Sequence, residues 1–152
     1  MDTRILCINP GSTSTKVAVY QNEEPLFCQT LRHTAEELAP YSCITDQTDM
    51  RRKVVLSCLE EHNIPVESLS AVVGRGGMLP PVQSGAYIVN DTMLRRLREA
   101  PVEDHASNLG AIIADGIAKP LGITAYIYDS VAVDEMIPLA RLTGIPETPR
   151  TC

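Results

Sequence analysis

The sequence predicts an α/β domain built on a mixed sheet. Three strand-like apolar runs follow one another up to Leu31, separated by turn-forming residues. Helical and strand-like segments then alternate, which places later strands in the same sheet with helical crossovers between them. The polar residues of greatest chemical interest, Asn9, Arg75 and Asp129, fall where predicted strands end. In open α/β sheets, ligands collect at that edge.

Arg4 to Ile8 is the first strand and Val17 to Tyr20 the second, with Asn9-Pro10-Gly11-Ser12-Thr13-Ser14-Thr15 as a tight polar turn between them. Glu23-Glu24-Pro25 makes the next turn, and Leu26 to Leu31 completes a three-strand meander. Residues 33–48 carry no clear period. From Asp49 a helix is predicted. Met50, Val54, Cys58 and His62 recur every four residues with Val55 and Leu59 beside them, a single apolar stripe. Asp46, Thr48 and Asp49 offer capping oxygens, and Asn63-Ile64-Pro65 stops the helix.

Leu69 to Val73 is a buried strand that runs into Gly74-Arg75-Gly76-Gly77, and Pro80-Pro81 then interrupts regular structure. Asn90 or Asp91 caps a short basic helix through Arg98. Another helix runs from about Ser107 to Lys119, turning Leu109, Ile112, Ile113 and Ile117 inward, with Gly122 closing it. Ala125 to Tyr128 is a strand ending at Asp129. Residues 131–142 are predicted helical, and the tail carries Pro146 and Pro149.

Composition narrows the function. The 152 residues suit one domain with a real core. Thirteen basic against nineteen acidic residues give a net charge of −6, which argues against a general nucleic-acid binder. No apolar run approaches the length of a membrane helix. The opening Met-Asp-Thr-Arg-Ile-Leu-Cys-Ile lacks the pattern of a signal peptide, so a cytoplasmic protein is expected. The five cysteines are odd in number and widely spaced without a Cys-x-x-Cys pair. That pattern predicts reduced thiols and no zinc site.

Four segments could carry chemistry. Asn9 to Lys16 combines exposed backbone N–H groups, several hydroxyls and one ammonium, a set that suits phosphate. It is not a P-loop, because the Gly-Lys-Ser/Thr ending and the following helix are missing. An ordinary solvated hairpin turn is the competing reading. Arg75 sits among three glycines, which let a ligand approach the backbone, and its planar fork can grip a carboxylate or phosphate. A mobile loop with an exposed arginine reads the same way. His105, in Glu103-Asp104-His105-Ala106-Ser107-Asn108, stands at a helix start, where it could donate to an anion or merely cap the helix. Asp129 could hold Mg²⁺ or close a strand end, and Asp134-Glu135 reads as a solvated helix start.

The order of these segments resembles one family. Ile8-Asn9-Pro10-Gly11-Ser12-Thr13-Ser14-Thr15-Lys16 is similar to the N-terminal signature of acetate and butyrate kinases. Val72-Val73-Gly74-Arg75-Gly76-Gly77-Met78-Leu79 resembles the butyrate kinase form of the next motif. His105-Ala106-Ser107-Asn108-Leu109-Gly110 and Asp129-Ser130-Val131-Ala132-Val133-Asp134-Glu135-Met136 resemble the two that follow. The acetate kinase branch carries a longer His-Arg segment where this chain has Gly-Arg-Gly-Gly, which favours the butyrate branch of these carboxylate kinases.

The resemblance implies an actin-like, ribonuclease-H-like ATPase domain, the N-terminal of two such domains facing across a cleft. Family members are more than twice as long. Residues 1–152 would then be an N-terminal acetokinase-type domain, cut short of the second nucleotide-binding domain. The implied reaction is transfer of the γ-phosphoryl of ATP, with Mg²⁺, to butyrate or a related short or branched acid, giving an acyl phosphate and ADP. By motif match Asn9, Ser12, Ser14 and Lys16 stand near the nucleotide phosphates. Arg75 holds the carboxylate or the transferring phosphoryl, His105 approaches the phosphoryl, and Asp129 holds Mg²⁺. The expected partners are a short-chain carboxylate or acyl phosphate, with neither nucleic acid nor membrane, and a homo-oligomer is expected at full length. The competing function is a catalytically inactive binding domain of the same superfold. A sugar kinase or chaperone-like ATPase fragment would share the strand–turn–strand opening but would not explain His105 to Gly110 or the Asp129 segment.

Overall fold

Leu6 and Ile8 on one strand, and Val17 and Val19 on the next, put apolar side chains on one face of a hairpin. In the computed structural model, which describes residues 2–99, 104–145, 147–148 and 150, all four are buried. Glu103, Pro146, Pro149 and Cys152 lie outside the described residues. β1 (Arg4–Pro10) and β2 (Ser14–Gln21) pair antiparallel, with Ile8 opposite Val17 and Asn9 opposite Lys16. Both strands run deeper into the polar segment than its composition suggested. The turn itself is only Gly11-Ser12-Thr13. β3 (Glu24–Arg32) continues the meander on the outer side of β2. Pro25 lies beside a slip in register at Val19/Tyr20, on an edge strand, where its missing N–H removes little from the ladder.

β4 (Ala71–Arg75) pairs parallel with β1, and the strand Thr124–Tyr128 pairs parallel with β4. A two-residue strand, β5 (Tyr87–Ile88), borders that last strand, β6, antiparallel. The order is β3-β2-β1-β4-β6-β5, a mixed sheet as expected. Register aligns Ile8 with Gly74 and Gly74 with Ile127, so three neighbouring parallel strands end together.

Four α-helices accompany the sheet among the described residues: α1 (Ala35–Leu38), α2 (Thr48–Glu61), α3 (Asp91–Glu99) and α4 (Asn108–Ala118). α4 lies against β1, β4 and β6, and buries Leu109, Ile112, Ile113 and Ile117 as its spacing predicts. α2 packs on α4. Its buried side chains are Arg51, Val55, Cys58 and Leu59, so the inward stripe is rotated by one residue from the one that Met50 and Val54 suggested. His62, just past α2, stacks on Phe27 of β3 with ring centroids 3.9 Å apart. The expected caps at Asp46, Thr48 and Asp49 do not form. Gln47 is the N-cap residue, and its side chain makes no capping bond. Asn90 does cap α3, its Oδ1 accepting the Met93 N–H at 2.9 Å. Gly122, at φ +67°, closes the short 3₁₀ turn that follows α4.

Residues 131–142 are not the predicted helix. Ser130 Oγ accepts the Ala132 N–H in a turn at 131–132, then Val133 bridges Val82 and the Asp134 N–H donates to the Val82 carbonyl, so the chain pairs with that segment instead of coiling. Asp134 is not a solvated helix start. Its two carboxylate oxygens lie 2.8 and 2.7 Å from Nη2 of Arg141, in a 3₁₀ turn at Pro138–Arg141. The Arg141 contact, with the Met136 N–H, holds that carboxyl below its ordinary pKa.

α4 shares a hydrophobic core with Leu6, Ile8, Val72 and Ile127, which lie on one face of the sheet. The opposite face presents Tyr20, Cys28 and Tyr128 to solvent, Tyr128 at 54% exposure.

Candidate functional site

Because the three parallel strands end together, Asn9, Arg75 and Asp129 become neighbours across 120 residues of sequence. Arg75 Nε donates to Asp129 Oδ2 at 2.9 Å, a solvent-exposed ion pair. The terminal guanidinium nitrogens of Arg75 have no acceptor among the described residues, so its fork remains open. Asp129 has φ +51°, in the left-handed region that Asp tolerates better than most side chains. That bend carries the chain out of β6 and turns the carboxylate toward Arg75.

The glycines around Arg75 act differently from expectation. A Cβ at Gly74 would come within 2.1 Å of the Gly110 carbonyl oxygen, and one at Gly110 within 2.4 Å of the Arg75 carbonyl oxygen. These two glycines let the first turn of α4 press onto the end of β4, so Gly74 serves packing rather than ligand approach. Gly76, at φ +76°, supplies the reversal after the strand. Asn108 Oδ1 accepts the Met78 N–H at 2.8 Å, and Ser130 Oγ donates to the Gly77 carbonyl at 2.9 Å. The Gly-Arg-Gly-Gly segment is therefore tied down on both sides and is not a mobile loop.

The same close approach brings the α4 entry to the strand ends. His105 precedes the helix by three residues and is half-buried. Its Nδ1 accepts the Ser107 N–H at 3.2 Å and lies 2.8 Å from Ser107 Oγ. Accepting from a backbone N–H puts the ring proton on Nε2. His105 thus both caps the local turn and keeps a donor available.

Two adjoining pockets share Asn9 and Arg75. One, of about 330 Å³, is lined by Asn9, Gly11, Ser12, Arg75, Gly76, His105 and Ser107 among others. The other, of about 410 Å³, lies on the open sheet face, with Asn9, Lys16, Arg75, Asp129 and Tyr128 in its wall. The structure therefore gathers Asn9, Ser12, Lys16, Arg75, His105 and Asp129 around one sheet edge. Ser14 lines neither pocket.

Sequence reasoning missed Arg51. Its guanidinium lies under the Gly11–Thr15 turn and holds it from below, with Nη1 donating to the Gly11 carbonyl at 2.7 Å and Nη2 to the Ser12 carbonyl at 2.9 Å. Beside it, Thr15 Oγ1 lies 2.9 Å from Nε2 of buried His33. Burial first, and then the Arg51 charge, lower the His33 pKa, so the ring is neutral at pH 7. The one available signal was negative: a basic residue standing at the i, i+4, i+7, i+8 positions of an otherwise apolar face.

The surface thus offers an open arginine fork, an ammonium, a histidine donor and a polar turn around one sheet edge, with one carboxylate bonded to the arginine. That chemistry binds an oxyanion and leaves room for a hard cation beside it. Among the described residues no cluster of three or more His, Cys, Asp or Glu is arranged to hold a metal by itself, and no helix is long and apolar enough to cross a membrane.

No family model matches the chain. It is 52% identical over 150 residues to a probable butyrate kinase of Clostridium botulinum (strain Eklund 17B / Type B), and 49% identical over 150 residues to butyrate kinase 2 of Clostridium acetobutylicum. Each match takes in 99% of this chain and 42% of the relative. The chain thus spans about two fifths of the length of these curated relatives. Among solved structures, it is similar to acetate kinase of Porphyromonas gingivalis, with a TM-score of 0.61 at 17% identity over 95% of this chain and 41% of that one. A propionate kinase from Francisella tularensis gives 0.55 at 16% identity, with the same two coverages. These likenesses show the fold alone, the actin-like α/β fold with its mixed sheet.

Proposed function

Because this chain is a sequence relative of the butyrate kinases, we propose that it is the phosphoryl-gripping portion of an enzyme that transfers the γ-phosphoryl of ATP to butyrate or a related short acid. The observation that carries this reading is the meeting of Asn9, Ser12, Arg75 and His105 around one pocket at the strand ends. In the relatives' remaining length, a second domain would hold the adenosine. Such an enzyme would work in the cytoplasm, where ATP is available.

The chemistry follows from charge. A carboxylate is already a nucleophile and needs no general base. One of its oxygens forms a bond to the γ-phosphorus while the bond from that phosphorus to the β–γ bridging oxygen breaks, and ADP leaves. The obstacle is repulsion between two anions, so catalysis rests on positioning and positive charge. In this reading Asn9, Ser12 and Lys16 attend the nucleotide phosphates, and Ser14 joins them by motif match alone. The open fork of Arg75 spans the acceptor carboxylate or the transferring group, and His105 donates from Nε2.

Mg²⁺ is tested by the donor set. Asp129 has one oxygen bonded to Arg75 and the other accepting no hydrogen bond among the described residues, and it stands in the wall of the larger pocket. One carboxylate beside an anion site fits a metal held mainly by phosphates and waters. Asp129 would hold the ion, which would offset phosphate charge.

A chimera tests the proposal. This chain would be joined to the portion of Clostridium acetobutylicum butyrate kinase 2 that it does not match, and acyl phosphate trapped with hydroxylamine. ATP- and butyrate-dependent hydroxamate is expected from the chimera and none from the chain alone. A folded chimera that binds ATP but forms no acyl phosphate from acids of two to six carbons would overturn the reading.

A further inference from the structure

Arg51 is fully buried, and it heads the fully buried side chains in volume. No carboxylate lies within ion-pair distance of it among the described residues. All its partners are neutral oxygens. Nε and Nη2 donate to Gln47 Oε1 at 3.0 and 2.8 Å, and Nη2 also to the Ser12 carbonyl. Nη1 donates to the carbonyls of Gly11 and Ser14 at 2.7 and 3.0 Å and to Thr15 Oγ1 at 3.2 Å. A whole positive charge thus sits behind the turn with no carboxylate paired to it among the described residues.

The backbone geometry has a directional consequence. In a trans peptide the C=O and the next residue's N–H point opposite ways. Carbonyls of Gly11 and Ser12 drawn down to Arg51 therefore turn the N–H groups of Ser12 and Thr13 up and away from it. Neither N–H has an acceptor among the described residues, whereas the neighbouring Gly11 N–H is used by the Ser14 carbonyl at 2.7 Å. Ser12 itself lines the pocket that holds Arg75 and His105. Successive outward N–H groups form a concavity that binds anions. A mere staple for a three-residue turn needs no charge, and burying a guanidinium without a counter-ion is costly.

We propose that Arg51 is the positioning residue of this turn: by drawing the carbonyls inward it aims the Ser12 and Thr13 N–H groups into the pocket, and its charge raises their affinity for a phosphoryl group. The proposal deepens the kinase reading and rests on it, since it assumes that the pocket receives nucleotide phosphates. Arg51 touches no ligand. It acts through the backbone.

The experiment is an amide NMR titration of the 152-residue chain with inorganic pyrophosphate, together with melting temperatures, for the native chain, Arg51→Met and Arg51→Lys. In the native chain the Ser12 and Thr13 amide resonances move saturably. Arg51→Met, which keeps the length and loses the charge, weakens binding by at least about tenfold, the scale of one nearby charge at low effective dielectric. Arg51→Lys recovers part of it, because the charge returns without the fork. Equal affinity in the native chain and a folded Arg51→Met overturns the role of Arg51 and leaves the phosphate site standing. Should Arg51→Met fail to fold, unchanged affinity in Arg51→Lys overturns the oriented-carbonyl account. Shifts at other amides with Ser12 and Thr13 unmoved overturn it as well, by placing the anion elsewhere. A native chain in which no amide responds removes the phosphate reading of the turn itself.

Discussion

Arg75 commits one nitrogen to Asp129 and leaves two without an acceptor among the described residues, which makes its replacement informative. In the active chimera, Arg75→Ala is expected to lower turnover by roughly 10²-fold, the scale for removing one transition-state charge partner. Arg75→Lys should restore little, because an ammonium lacks the fork. Melting temperature should barely move, since exposed ion pairs contribute at most about 1 kcal/mol; a large drop in melting temperature would make Arg75 structural instead. Asp129→Asn separates a metal role from an orienting one. Asn also tolerates the left-handed backbone, so the fold should persist while the Mg²⁺ concentration for half activity rises severalfold. A Mg²⁺ titration that superimposes on the parent's would leave Asp129 as a holder of Arg75 only. His33 gives a pH signature. Its folded pKa lies below the ordinary 6.5, so the unfolded chain takes up a proton that the folded one refuses. Its contribution is intact above pH 6.5 and is lost as pH falls through that value toward the folded pKa. Chemical denaturation between about pH 7 and 5 should show that loss in the native chain and a flatter profile in His33→Gln.

At the scale of elements, the contact of β4 with α4 sets the site. Gly74→Ala or Gly110→Ala would drive a methyl into backbone that cannot rotate away. Either should destabilise the domain by at least about 2 kcal/mol, read from denaturant midpoints. A cost near zero would mean that α4 can retreat from the strand. The same elements explain what the sequence could and could not reveal. α4 was legible because Leu109, Ile112, Ile113 and Ile117 keep a helical period, and β6 because its apolar run stops at Asp129. β5 was not, since two residues are too few to alternate. Residues 131–142 read as helix because the bridge from Val133 to Val82 is a long-range choice that no local propensity records. Arg51 was hidden for the opposite reason: arginine's usual place is water, and only the turn 40 residues earlier gives it a reason to be inside. Likewise Gly74 looked like a ligand clearance because its true neighbour, Gly110, is distant in sequence.

The whole molecule is a sheet with helices gathered on the face of Leu6 and Ile8, and with a site where its parallel strands stop. The chain alone, about two fifths the length of its butyrate kinase relatives, is expected to give no ADP above blank from ATP and butyrate. Steady turnover by protein of verified mass would show that these residues suffice. The topology also sets a timetable. The meander of β1, β2 and β3 is complete in sequence by Arg32, yet the helix that covers Ile8 begins at Asn108, 100 residues after it. At roughly 5–20 residues per second, a ribosome takes about 5–20 s to supply that cover. Throughout that interval Leu6 and Ile8 lack the cover of α4, and for the first part of it, until Ala71–Arg75 is made, the β1 edge also waits for β4. A nascent chain stalled before Asn108 should therefore be held by chaperones and cut readily by protease, and one stalled well past Asp129 should escape both.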